Sequence, residues 1–335
     1  MAPDPDPIQQ AISIASCLYL PLALGYTLRK VGVLGTKWTR PCMVWLMVLV
    51  EPPITMYSLW VLEAGHVAVG RSPAAFLGGV GSILLAASLV TTAMIFVGRL
   101  ASEPFGHDRK TRGAFIAAIM FSNVGFTLGV FICLLFLDIP GQSVGIVYAT
   151  YFLPYFVTVG FAIGRHYGSA QKRSLGSQAL GLVTQPLSAL PLAGFAAGLV
   201  LHRIASAPPE WVQPLNRAAI HGEVAIYAFA IGCTLSFRSI RKYWRECATV
   251  CGLKFLVTPL VGLGVVFALR NLGVLSRQPI VGKVILIQTC MPAAIMSVVL
   301  AKLFRLNEDL AASCWVVTTV ASVFVLPFVY LAVVP

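Results

Sequence analysis

Ten stretches of this chain are long and apolar enough to cross a bilayer, and short polar links separate them. By length and flanking charge they run roughly over residues 8–28, 41–61, 74–98, 113–137, 141–164, 179–201, 215–237, 247–269, 282–303 and 310–333. A helix of about 20 residues matches a hydrocarbon core ~30 Å thick. No link can hold a soluble domain; the longest, Arg99 to Arg112 and Arg165 to Gln178, are polar loops. The pattern predicts an all-α polytopic membrane protein with ten transmembrane helices. Composition agrees, because the chain is 58% hydrophobic and only 11% charged, against about 25% charged in soluble domains. Met1 to Pro7 carries no positive stretch ahead of the first segment, so that segment is expected to remain in the mature protein.

The fourth segment breaks its own pattern. Its middle reads Phe121-Ser122-Asn123-Val124-Gly125-Phe126-Thr127-Leu128-Gly129. Ser122, Asn123 and Thr127 are polar, and Gly125 and Gly129 are poor helix formers. Taken alone, the segment also fits a continuous helix whose small residues let a neighbour pack closely. The rest of the chain favours a break. Leu20-Pro21-Leu22-Ala23 returns as Leu190-Pro191-Leu192-Ala193, Trp38 and Pro41 return as Trp211 and Pro214, and Leu153-Pro154-Tyr155 returns as Leu326-Pro327-Phe328. The matches are in order, at offsets of 170 to 173 residues. A five-helix repeat is odd-numbered, so its second copy enters the membrane from the other side. The expected organisation is a first repeat over 8–164, a cytoplasmic connecting loop over 165–178, and a second, inverted repeat over 179–333. The same offset carries the fourth segment onto the ninth, Gln288-Thr289-Cys290-Met291-Pro292-Ala293-Ala294. There Pro292 removes a backbone donor. Paired interruptions in matching helices point to a midplane binding site.

The net charge of +12 would suit a nucleic-acid partner, but its distribution gives another reason for it. Seventeen Lys and Arg follow odd-numbered segments and six follow even-numbered ones. Cytoplasmic loops are enriched in these residues, so both termini are expected outside and no nucleic acid is implied. Three charges lie well inside segments, away from their ends. Glu51 is ten residues past Pro41, ~15 Å at helical rise, and Lys254 is nine past Arg245, ~13 Å. Glu223, in the seventh segment, falls within one residue of the repeat counterpart of Glu51. Such residues at depth are costly and mark ion or substrate paths. The plainer alternatives are that Lys254 snorkels to the cytoplasmic face, that Glu223 lies near the outer interface with His221, and that Glu51 only pairs with Lys254.

Enzyme chemistry has no foothold. The five His are scattered, and there is no P-loop, no G-x-S-x-G and no metal-ligand cluster. The eight Cys lie mostly inside apolar segments, among them Cys17, Cys133, Cys233, Cys251, Cys290 and Cys314, and read as small core residues without disulfide or metal roles. No cofactor is expected.

Four stretches resemble the auxin efflux carrier family, the PIN-like transporters: Leu24 to Leu34, Ser122 to Gly129, Met291 to Leu303, and Leu310-Ala-Ala-Ser through Leu326-Pro327. The likeness spans essentially the whole chain. It implies ten helices as two inverted five-helix repeats, with the fourth and ninth broken and crossing, similar in fold to bile-acid sodium symporters. It also implies a scaffold, often dimeric, facing a moving transport domain, and transport of small organic anions, auxins in plants and carboxylates in bacteria. Two features depart from it. Many members carry a Pro after the glycine motif of the fourth helix, where this chain has Val130 and Phe131. The long cytoplasmic loop of plant members is absent.

The expectation is a secondary carrier that moves a small organic anion by alternating access, as a homodimer in the lipid bilayer. Half-helix N-termini would face the substrate carboxylate. Asn123 would bond it, with Ser122, Gly125, Thr127, Gln288, Thr289, Met291 and Pro292 around it. Glu51, with Glu223 and Lys254, would couple an ion, a proton first. Two other readings stand open: a sodium-coupled symporter with Gln288, Thr289 and Ser122 as oxygen ligands, and a membrane sensor that binds a ligand without moving it.

Overall fold

The computed structural model describes residues 12–34, 38–62, 73–168, 186–204, 207–235, 237 and 239–334. The connecting loop expected over 165–178 lies mostly outside them, as do the first residues of the sixth segment. The described residues are helical without a named strand. In chain order we number α1 (Ile12–Lys30), α2 (Pro41–Trp60), α3 (Pro73–Ala101), α4 (Arg109–Met120), α5 (Gly129–Tyr167), α6 (Pro186–Ile204), α7 (Val212–Thr234), α8 (Trp244–Asn271), α9 (Pro279–Thr289), α10 (Met296–Leu303) and α11 (Glu308–Val333). Six of the helices are long and apolar enough to cross a membrane: α1, α2, α3, α5, α8 and α11.

Two of the expected segments are not single helices. The fourth stops at Met120 and resumes at Gly129. Its second half then runs into the fifth segment through a kink at Asp138, whose φ of 55° is unusual for a residue with a side chain. The ninth stops at Thr289 and resumes at Met296. The break expected at Gly125 is therefore longer than one glycine requires.

Three helices carry a five-residue π turn that ends two residues before a proline: Ala15–Tyr19 before Pro21, Leu46–Val50 before Pro52, and Leu253–Val257 before Pro259. A proline cannot donate to the carbonyl four residues back. Widening the preceding turn absorbs the missing bond without a sharp kink. In α8 the Thr258 hydroxyl also bonds the carbonyl of Leu253, at 2.9 Å. Two of the three intramembrane charges sit at these turns, Glu51 directly after one and Lys254 within another.

The chain divides into two compact units, each drawing on both halves of the sequence. Unit 1 comprises residues 1–62, 125–146 and 184–235. In it α1 packs on α7 and α2 on α6. The α2–α6 contact is backbone-close, since a Cβ on Gly194 or Gly198 would stand 2.5 Å from the Pro52 carbonyl oxygen or 2.6 Å from that of Met56. Glycines four apart let membrane helices approach this way. Unit 1 also buries a polar chain that hydropathy does not reveal. Gln142 donates to the Ser58 hydroxyl at 2.6 Å, and Asn216 donates to Gln142 at 3.3 Å.

Unit 2 comprises residues 63–124, 147–183 and 236–335. Its centre is α4, buried without interruption from Gly113 to Met120. Val90 and Met94 of α3, Val250 of α8, Leu300 and Ala301 of α10 and Cys314 of α11 belong to the same core. Side-chain caps start two of its helices: Asp108 accepts from the Thr111 amide, and Asn307 from the Leu310 amide.

Candidate functional site

The two interruptions meet inside unit 2. Past Met120 the chain turns extended, and Ser122 stands opposite Ala293 as an antiparallel pair. The Asn123 amide donates to the Pro292 carbonyl at 2.8 Å, and the Ala294 amide donates to the Phe121 carbonyl at 3.0 Å. The Ala293 amide donates to the Thr318 hydroxyl of α11 at 3.1 Å. Backbone groups in hydrocarbon must find partners within the protein. Here each broken helix supplies them to the other, so both interruptions can sit among apolar helices.

The crossing holds a charge. Lys254, from the π turn of α8, is 0% exposed and donates its ammonium to the Ser122 hydroxyl at 2.8 Å. It forms no ion pair among the described residues. The snorkelling alternative is therefore set aside, because the side chain ends on Ser122 in the interior. Close to the crossing lies the N-terminus of α10, where helix amides and dipole favour negative charge.

The other residues singled out from the sequence divide between the units. Pro292 contributes its carbonyl to the crossing. Met291, Gln288 and Thr289 are fully buried, and the Thr289 hydroxyl is spent on the Leu286 carbonyl of its own helix at 2.9 Å. Asn123 is partly exposed, with its amide in the crossing. Beyond Val124 the chain enters unit 1. There Gly125 and Thr127, both partly exposed, belong to the turn that starts α5, and the Gly125 carbonyl accepts from the amides of Leu128 and Val130.

Glu51 and Glu223 are brought together in unit 1, on α2 and α7. Glu223 stands one helical turn before Tyr227, the residue that reaches Glu51, so the two carboxyls are neighbours. The Tyr227 hydroxyl donates to Glu51 Oε1 at 2.8 Å. Sequence reasoning missed Tyr227; its one signal is the four-residue spacing from Glu223, which puts both on one helix face. It also missed the Ser58–Gln142–Asn216 chain.

Outside the membrane segments, Asp108 caps α4. Hydrogen bonds from Thr111, side chain first, hold its carboxyl below the ordinary aspartate range.

Residues 172–330 match the family model described as membrane transport protein. The chain is related to membrane transporters. It is 25% identical over 330 residues to an uncharacterized transporter of Methanothermobacter thermautotrophicus, an alignment covering 94% of this chain and 95% of the other. The resemblance read from the sequence motifs is borne out by the family match. Together with the apolar helices, the two likenesses support a multi-pass membrane transporter.

Proposed function

We propose that this protein is a secondary carrier that moves a small organic anion, a carboxylate, across the membrane by alternating access. In this reading the chain is two inverted five-helix repeats with both termini outside, and the functional unit is a homodimer. The packing of unit 1 supports the repeats. Under an offset of 170 to 173 residues, α1 on α7 and α2 on α6 are the same pairing of segments made twice.

The observation that carries the anion is Lys254. A buried ammonium held by one hydroxyl is an incomplete arrangement, since buried charges are paired or neutralised. It sits where two helix interruptions cross and where the N-terminus of α10 adds positive potential. A carboxylate bound there completes the ion pair and accepts from Ser122 or Asn123. Lys254, assigned to ion coupling from the sequence, becomes the substrate's counter-charge.

Purified protein in proteoliposomes, screened for uptake and counterflow of labelled carboxylates, tests the reading. The expected result is saturable flux of at least one small carboxylate, lost in Lys254→Met. A carboxylate that binds, by thermal shift, without any flux would make the protein a sensor and overturn the carrier. For topology, single cysteines replacing Glu103 and Leu272 in a background without native cysteines should be labelled from the inside and the outside respectively.

A further inference from the structure

Unit 1 buries an acid pair that the crossing does not use. Glu223 on α7 is 1% exposed, and neither of its carboxyl oxygens meets a hydrogen-bond donor among the described residues. Its neighbour is the carboxyl of Glu51 on α2, which is partly exposed and already accepts from Tyr227 at 2.8 Å. Other ionisable groups on the packed helices are engaged elsewhere or neutral. On α7, Arg217 pairs with Asp138, and His221 is turned to the Arg217 carbonyl at 2.7 Å. On α6, His202 faces the Trp60 carbonyl at 3.3 Å, and Arg203 lies in the last turn. On α1, Arg29 donates to the Leu235 carbonyl at 3.0 Å and Lys30 stands over the Tyr26 ring, with Cys17 and Tyr19 the other groups; on α2 the groups are Cys42 and Tyr57. No cation among the described residues forms an ion pair with either glutamate.

Two bare carboxylates in contact, away from water, repel strongly. One proton changes the sign of the contact, because a carboxyl donating to a carboxylate makes a strong charge-assisted bond. A metal cation would remove the repulsion too, but hard cations take six or more oxygens. Here the described side-chain oxygens are two carboxyls and one hydroxyl that is occupied as a donor. We propose that Glu223 and Glu51 hold one exchangeable proton between them, Glu223 as donor and Glu51 as the Tyr227-anchored acceptor, and that this proton is the ion that drives the carrier. Release leaves two carboxylates, and uptake restores one carboxyl and one carboxylate. The role in driving transport rests on the carrier reading; the shared proton does not.

The experiment has two arms. Infrared difference spectra of the purified protein, titrated from acid to alkaline pH in light and heavy water, should show one buried-carboxyl band. The band should shift on deuteration, be absent in Glu223→Gln, and move in Glu51→Gln. In proteoliposomes, carboxylate flux should respond to an imposed pH gradient in wild type and lose that response in both variants, with carboxylate binding by thermal shift reporting that they are folded. If Glu223→Gln does not fold, Tyr227→Phe reads the same pair, and its band should move as Glu51 loses its donor. Absence of the band, its persistence in Glu223→Gln, or its removal by sodium at constant pH overturns the shared proton. A gradient response retained in the variants overturns the driving role. Wild type that shows the band but moves no anion refutes the carrier reading and leaves the shared proton standing.

Discussion

The crossing in unit 2 and the acid pair in unit 1 are incomplete in opposite senses. At the crossing a buried ammonium has a hydroxyl partner and no counter-charge. In unit 1 a buried carboxyl has a like-charged neighbour and no donor. Both lie at a π turn that ends two residues before a proline. The difference lies in what completes each. In the proposed reading a carboxylate completes the crossing, next to backbone that has left the helix. The acid pair, in the proposed reading, takes a proton between a carboxyl on α7 and one that follows the π turn of α2. If both proposals hold, substrate and driving ion have separate chemistries in this chain, and the variants below test whether each can be removed alone.

The largest expected effect comes from removing the charge at the crossing. Lys254→Met should weaken carboxylate binding by about 3 kcal/mol or more, the scale of breaking a buried ion pair. Isothermal titration with a transported carboxylate measures it, and the infrared band of the acid pair should be unchanged. A band altered by Lys254→Met would break the separation between the two regions.

Ser122→Ala comes next. It strips Lys254 of its described acceptor, so the protein without substrate should lose about 1–3 kcal/mol of stability. In a Lys254→Met background the same change should cost little, and the coupling in a double-mutant cycle isolates the pair. Additive losses would show that Ser122 matters for its place in the extended pair rather than for the ammonium.

Tyr227→Phe removes one donor from Glu51 and should cost about 1 kcal/mol. It should leave carboxylate affinity as it was, read by the same titration.

Asp108→Ala should be smallest and should move neither region. Loss of an N-cap costs about 1 kcal/mol. Because its hydrogen bonds hold the Asp108 carboxyl below its unfolded value, the stabilisation is present at neutral pH and above. It is lost as pH falls through the lowered folded value. Thermal melts of wild type and Asp108→Asn across the acid range check this. The asparagine keeps an acceptor and should flatten that part of the pH dependence.

Much of this architecture is local information. Apolar stretches and their flanking charges are sums over neighbouring residues, so the helical segments could be marked from the chain alone. Gly125, Gly129 and Pro292 carry their effect on a helix in their own covalent structure, so the two interruptions could be placed as well. The repeat offset even linked Glu51 to Glu223 before any contact was known.

Other features depended on which helix faces which. The break around Gly125 runs from Phe121 to Leu128 because the extended segment is held by Pro292 and Ala294, and no local propensity encodes that partner. Glu51 finds Tyr227 across 176 residues, and Lys254 finds Ser122 across 132. The sequence offered Lys254 the cytoplasmic surface or Glu51, and both were reasonable for a flexible four-carbon side chain. Only tertiary packing decided otherwise. A side chain's depth follows from its position along a helix, but its partner follows from how that helix is rotated against its neighbours, and the sequence alone does not determine the rotation.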